Sequence, residues 1–182
     1  MPLTPVPDHP TDRHPMSEIV FDHEDFDFET LDEELDVDRQ CRSLLQQFFV
    51  WLQQQDLTLE QASELAYSAD YYLRDYLLDF LRCNPLRPQS GLVRAFAGNW
   101  YITRTMEPEY GVLCRHLTAI THLYRYLYEL GLINCEALQQ IEQEAAAQDY
   151  YRQRMESFLA LAGDGFAEWD QECTCSELRR MA

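Results

Sequence analysis

The sequence predicts an all-α protein, a compact bundle of about five helices that carries a disordered acidic N-terminal tail. Three observations lead there. Apolar residues recur at three- and four-residue spacing through most of residues 39–162. Each of those runs is bounded by capping or breaking residues. Finally, no stretch shows the strict alternation of a strand, a Gly-rich phosphate loop or an internal repeat.

A first helix is predicted over 39–55, with Leu45, Phe48, Phe49 and Leu52 on one face and Leu44 and Trp51 beside them. Thr58, followed three residues later by Gln61, makes a capping-box pattern and starts a second helix. Its Ala62, Leu65, Ala69, Tyr72, Leu73, Tyr76, Leu77 and Phe80 form one stripe, and Asn84-Pro85 stops it. Residues 84–88, with two prolines, read as a rigid turn. Ser90 is placed to cap a third helix carrying Leu92, Val93, Phe96 and Trp100, which ends before Pro108. A fourth runs over 109–130, with Leu113, Leu117, Ile120, Leu123, Tyr124, Leu127 and Leu130 on one face and Gly131 at the C-cap. Asn134 caps a fifth, with Leu138, Ile141 and Ala145 early and Tyr151, Met155, Phe158 and Leu159 late, until Gly163 and Gly165 end it.

The domain reading is therefore a disordered acidic tail over 1–38, a helical bundle over 39–162 and a loose acidic tail over 163–182. The chain has 182 residues, 46% hydrophobic and 25% charged, enough for one self-supporting core in the middle segment. Its net charge is −18, concentrated at the ends: residues 1–38 carry 13 acids against Arg13, whereas residues 39–135 balance nine acids with nine arginines. Residues 1–15 hold five prolines, and Phe21, Phe26, Phe28, Leu31, Leu35 and Val37 are scattered among the acids that follow. That mixture reads as a solvated segment, with a docking element as the sharper alternative.

All 14 basic residues are arginine. Without lysine there is no Schiff-base former and no P-loop phosphate ligand. Strong negative charge opposes tight non-specific binding to nucleic acid. No apolar run reaches the ~18 residues of a membrane span and the N-terminus lacks a signal pattern, so a cytoplasmic protein without membrane contact is expected. Cys41, Cys83, Cys114 and Cys135 sit in helical apolar patterns and read as small core residues rather than a disulfide framework. Cys173 and Cys175 offer two thiols to a soft metal, too few to close a site, and read as an unliganded or weakly redox-sensitive pair. No cofactor is expected.

Residues 44–133 resemble the N-terminal core-binding, SAM-like helical domain of tyrosine recombinases and phage integrases. The resemblance rests on the Thr58-capped helix with spaced tyrosines that closes at Leu81. It rests also on Leu117, Ile120, Leu123, Tyr124, Tyr126 and Leu127 leading into Gly131, Leu132 and Ile133. The catalytic domain of that family, its His-x-Leu-Arg-His phrase and its catalytic lysine are absent from this sequence. The resemblance thus implies no strand-transfer activity, only a helical module of the kind that clasps DNA and packs against neighbouring protomers.

Two candidate sites stand out. Between residues 87 and 125, five arginines face only Glu107 and Glu109. Within that segment Arg94, Arg104, Arg115, His122 and Arg125 are candidates for contact with DNA or another anion. The plainer reading is a solvated face whose arginines pair with the acidic ends of the same chain. Asn99, Trp100, Tyr101, Arg104 and Glu107 are candidates for a polar pocket, with buried packing of Trp100 and Tyr101 as the plainer reading. His116 falls on the apolar face of the fourth helix and reads as a hydrogen-bonded core histidine; with His122 it does not make the i, i+4 pair of a helical zinc site.

The expected function is a non-catalytic helical module that binds or regulates a protein partner. The alternatives are a DNA-binding accessory protein using residues 94–125 and an enzyme with a pocket around residues 99–107. The 23 aromatic residues allow self-association.

Overall fold

The chain enters its first helix at Leu31, inside the stretch that charge alone assigns to a tail. The computed structural model describes residues 20–175 and residue 178. Thr30 caps α1 (Leu31–Gln53) through a reciprocal capping box with Glu33, which satisfies two of the orphan N–H groups at that end. A 3₁₀ turn, His23–Phe26, precedes it and is capped in the same way by Asp22 and Asp25. Phe26 and Val37 are buried and Phe21 nearly so, all three in the common core. The expectation of a disordered 1–38 tail is thus corrected for residues 20–38, where dispersed aromatic residues are enough to anchor an acidic segment. Its remainder, 1–19, lies outside the described residues.

The second helix, α2, is α-helical over Leu59–Asp70 and π-helical over Tyr71–Leu81. Thr58 and Gln61 form its capping box as the spacing predicts. The wider i→i+5 turns bring Tyr72, Leu73, Tyr76, Leu77, Leu78 and Leu81 into the core together. It ends at Arg82, a non-glycine residue at φ +57° whose guanidinium pairs with Glu34 at 2.5 Å and lies over the Phe28 ring. Contacts with the 20–38 segment therefore hold a left-handed residue that would ordinarily be glycine.

The next helix, α3, runs through three consecutive runs, Leu92–Ala95, π-helical Phe96–Trp100 and Tyr101–Arg104. Gly91, at φ +90°, occupies its N-cap, and the cap expected from Ser90 is supplied instead by Glu144 of a distant helix. Tyr110–Glu129 forms α4, closed by Gly131 at φ +73° as predicted. The predicted fifth helix is two: α5 (Cys135–Ala146), capped by Asn134, and α6 (Gln148–Leu159). The break at Ala147 falls in an alanine-rich run with no local breaker. It redirects the chain so that Tyr151, Arg154 and Met155 are buried. A short α7 (Phe166–Gln171) follows.

Among the described residues the regular structure is these seven helices, the 3₁₀ turn and a helical Leu178; none of it is strand. The strip α1, α2, α4, α5 packs each helix on the next, while α3 lies against α2, α5 and α6. The core is continuous across all of them. Among the described residues no helix is long and apolar enough to cross a membrane. The predicted loose tail over 163–182 is corrected too for residues 163–175 and 178, its remainder lying outside the described residues. Trp169, Cys173, Cys175 and Leu178 are buried, the first three against α3 and α6.

Candidate functional site

The aromatic residues of α2 and α3 set the chemistry of the middle of the molecule. The Phe96 ring is surrounded by Tyr72, Tyr76, Trp100 and His116, with ring centroids 5.1, 5.2, 5.7 and 5.8 Å away. His116 also stacks on Tyr71 at 5.1 Å and meets the edge of Tyr101 at 5.3 Å. The two π-helical runs face one another here, which lets large rings from both helices enter one layer.

Every titratable group in this layer is driven toward its neutral form. Burial lowers the His116 imidazole to about 4, against a favourable hydrogen bond to the backbone of Ser68 and with the Arg115 charge adding to the depression. Desolvation pushes the phenols of Tyr71, Tyr72, Tyr76 and Tyr101 upward. Two of these hydroxyls are spent on structure: Tyr76 donates to the Leu92 carbonyl at 3.0 Å and Tyr101 to that of Glu109 at 3.2 Å, whereas that of Tyr72 has no hydrogen-bond partner among the described residues. His116 is thus the core histidine that its helical position predicts, although its Nδ1 has no partner among the described residues.

The residues 99–107 do not converge on a pocket. Asn99 is buried and donates from Nδ2 to Asp170 at 2.6 Å; Trp100 and Tyr101 are buried in the aromatic layer. Arg104 is exposed and lies over the Phe80 ring at 5.3 Å, whereas Glu107 is exposed on the turn beyond α3. Helical geometry separates these side chains around the axis, and spacing alone could not reveal which of them turned inward. The expected polar pocket is therefore corrected to one structural contact, Asn99 with Asp170, flanked by packing and surface residues.

The predicted arginine face is answered from within the chain. Arg115 pairs with Glu64 at 3.5 Å and Arg125 with Glu142 at 2.7 Å, while Arg87 pairs with Asp27 at 3.0 Å. The guanidinium of Arg94 donates to the Tyr150 hydroxyl at 3.3 Å and stacks over its ring. His122 contacts the Thr118 carbonyl through Nδ1 and meets the edge of Trp51. Of the acidic partners, Asp27 and Glu142 lie in the acid-rich ends of the chain and Glu64 in its charge-balanced middle. Such exposed pairs are worth little individually, about 0–1 kcal/mol, but each reduces the free positive charge.

Two surface hollows accompany these features. One, of ≈ 250 Å³, is lined by Arg94, Gln143, Glu144, Ala147, Tyr150 and Tyr151. Its floor is Glu144, which accepts backbone N–H groups from Gly91 at 2.6 Å and from Val93 and Arg94 at 3.0 Å each. A carboxylate of the chain thus fills the positive end of α3. The other hollow, ≈ 460 Å³, is walled by Glu24, Asp25, Asp27, Glu33 and Asp36 with Arg39 at its edge. Several of these acids serve as caps or pair with arginine: Asp25 and Glu33 close capping boxes, and Asp36 pairs with Arg39.

Three structural residues escaped the sequence reading. Arg154 is 3% exposed. It donates from Nε to the Gly98 carbonyl at 3.1 Å and through its terminal nitrogens to Glu172 at 2.7 Å and to the Trp169 carbonyl at 2.8 Å. Its spacing from Tyr151, Met155 and Phe158 places it on their face, and that was the available signal. Glu144 and Gly98 carried none, since their partners lie about fifty residues or more away. The cysteines divide differently from expectation: Cys41 is buried, Cys83 and Cys114 are half-buried and Cys135 is exposed at the start of α5. Burial raises the thiols of Cys41 and Cys83 to about 12. No group of His, Cys, Asp and Glu among the described residues could hold a metal ion. Compared with protein-family models, curated proteins and solved structures, the chain matches none.

Proposed function

We propose that this chain is a non-catalytic, cytoplasmic helical module that binds a protein partner through a basic surface of that partner. The observation that carries the reading is the internal pairing of three of the five arginines between residues 87 and 125. Arg115, Arg125 and Arg87 are each paired with an acid, while the chain as a whole retains a net charge of −18. What the protein presents outward is negative charge, which attracts arginine- and lysine-rich surfaces and repels a phosphate backbone. The neutral forms favoured throughout the aromatic layer support a packing role for it rather than proton transfer.

Fluorescence anisotropy tests this with two labelled probes, an arginine-rich peptide and a mixed-sequence DNA duplex, at low and moderate salt. The peptide binds in a salt-sensitive manner and the duplex does not. Duplex binding that falls with salt and with Arg115→Ala or Arg125→Ala would instead establish the DNA-accessory reading drawn from the recombinase resemblance.

A further inference from the structure

The segment after α6 returns to α3 and is pinned there by a small set of directed contacts. Arg154 clamps it through Glu172 and the Trp169 carbonyl, with its guanidinium 3.7 Å above the Trp169 ring centroid. Asp170 receives the Asn99 amide. Beyond that clamp, the Cys173 thiol points to the Arg94 carbonyl at 3.4 Å and the Cys175 thiol to the Ala95 carbonyl at 3.7 Å. Two thiols one residue apart therefore dock on two successive carbonyls of the same helix. The chain is turned at 172–173 and bent at 175, and two residues along a chain are never more than about 7.6 Å apart. A turned segment brings such Cα atoms within the ~4.4–6.8 Å that a disulfide spans.

Linking the sulfurs removes both of these contacts, because a disulfide sulfur has no hydrogen to offer a carbonyl. The Cys173 sulfur packs against α3 where Gly98 carries no side chain, 2.9 Å from where one would begin. We propose that Cys173 and Cys175 form a redox-operated fastener: as thiols they hold the C-terminal segment on α3, and as an intrachain disulfide they release it. Hydrogen peroxide supplies the oxidising equivalents. One thiolate attacks the peroxide, the O–O bond breaks, and a sulfenic acid and water form. The second thiol then displaces the sulfenic oxygen as water, so that two electrons pass from sulfur to oxygen and both thiol protons end in water.

Both thiols are buried while the segment is docked, and burial holds the Cys175 thiol up at about 12, so reaction proceeds through transient lifting of the segment. Release uncovers the Gly98 face of α3 and the neighbourhood of Trp100, whose indole N–H has no partner among the described residues.

The full-length reduced chain treated with dilute hydrogen peroxide tests this. The readouts are thiol alkylation with non-reducing peptide mapping and amide hydrogen exchange. The expected result is a 173–175 disulfide together with exchange in residues 92–104 that is roughly tenfold faster or more, reversed by dithiothreitol. Cys173→Ser and Cys175→Ser each abolish that response. Glu172→Gln, which weakens the clamp without touching either thiol, speeds the oxidation several-fold and provides a test even if the serine variants fold poorly. Oxidation confined to Cys114 and Cys135, a disulfide with unchanged exchange in α3, or an oxidation rate unaffected by Glu172→Gln would each overturn the proposal.

Discussion

The Glu144 carboxylate of α5 receives the backbone N–H of Gly91 at 2.6 Å, across fifty-three residues of sequence, and so caps a helix to which it does not belong. The same carboxylate takes the N–H groups of Val93 and Arg94 and is steadied by the Gln140 amide at 2.8 Å. Loss of a local helix cap costs about 0.5–2 kcal/mol, and hydrogen bonds to a charged group about 1.5–3 kcal/mol. Glu144→Ala is expected to lower stability by about 2 kcal/mol in urea unfolding, and Glu144→Gln by less. An unchanged midpoint for the alanine variant would show that Ser90 or water replaces the cap.

Phe26 separates a folded N-terminal segment from a solvated one. It is fully buried beneath α1, with the Phe21 ring 6.0 Å away. Deleting a buried phenyl ring costs roughly 3–5 kcal/mol. Phe26→Ala should shift the thermal midpoint of the full chain by many degrees, whereas a substitution at exposed Val20 leaves it unchanged. Equal, negligible effects at both positions would return the segment to the status of a tail.

His116 predicts a pH dependence with a definite sign. Its pKa lies near 4 in the folded chain against an ordinary value of 6.5, so the unfolded chain binds the proton more tightly. The neutral imidazole is fully compatible with the fold above pH 6.5. Stability then falls as the pH drops from 6.5 toward 4, by up to about 1.4 kcal/mol per pH unit for this one group. Comparing His116→Phe with the parent isolates that contribution from the carboxyls, of which Asp75 and Asp79 are raised by burial and act in the opposite sense. Parallel stability curves for the two proteins between pH 4 and 7 would contradict it.

Gly98 and Cys173 are coupled by space. A methyl group on Gly98 would begin 2.9 Å from the Cys173 sulfur, with Tyr150 and Tyr151 close behind. Gly98→Ala gains roughly 1 kcal/mol of helix propensity but meets that steric conflict, typically worth about 1–3 kcal/mol. Combined with Cys173→Ala the conflict is removed, so the double-mutant cycle should give a favourable coupling of about 1 kcal/mol or more. Additive effects would place the segment farther from α3.

The legibility of this protein in its sequence follows how local each cause is. Thr58 with Gln61, Asn134, Gly131 and the apolar stripe of the fourth predicted helix act over a few residues, and they determine the helical class and most of the boundaries by themselves. Charge composition was a poor guide at the ends. A few aromatic residues, Phe21 and Phe26 in one segment and Trp169 in the other, bury enough surface to outweigh the surrounding acids, which simply remain in water. Only the tertiary structure decided that the helix through residues 135–159 breaks at Ala147. It alone decided also that Glu144 caps α3, that Arg154 is enclosed, and that Arg115 and Arg125 are matched by Glu64 and Glu142. Each of those outcomes depends on which surfaces meet, and helices of one amphipathic pattern can meet in many ways until the packing of particular side chains selects one.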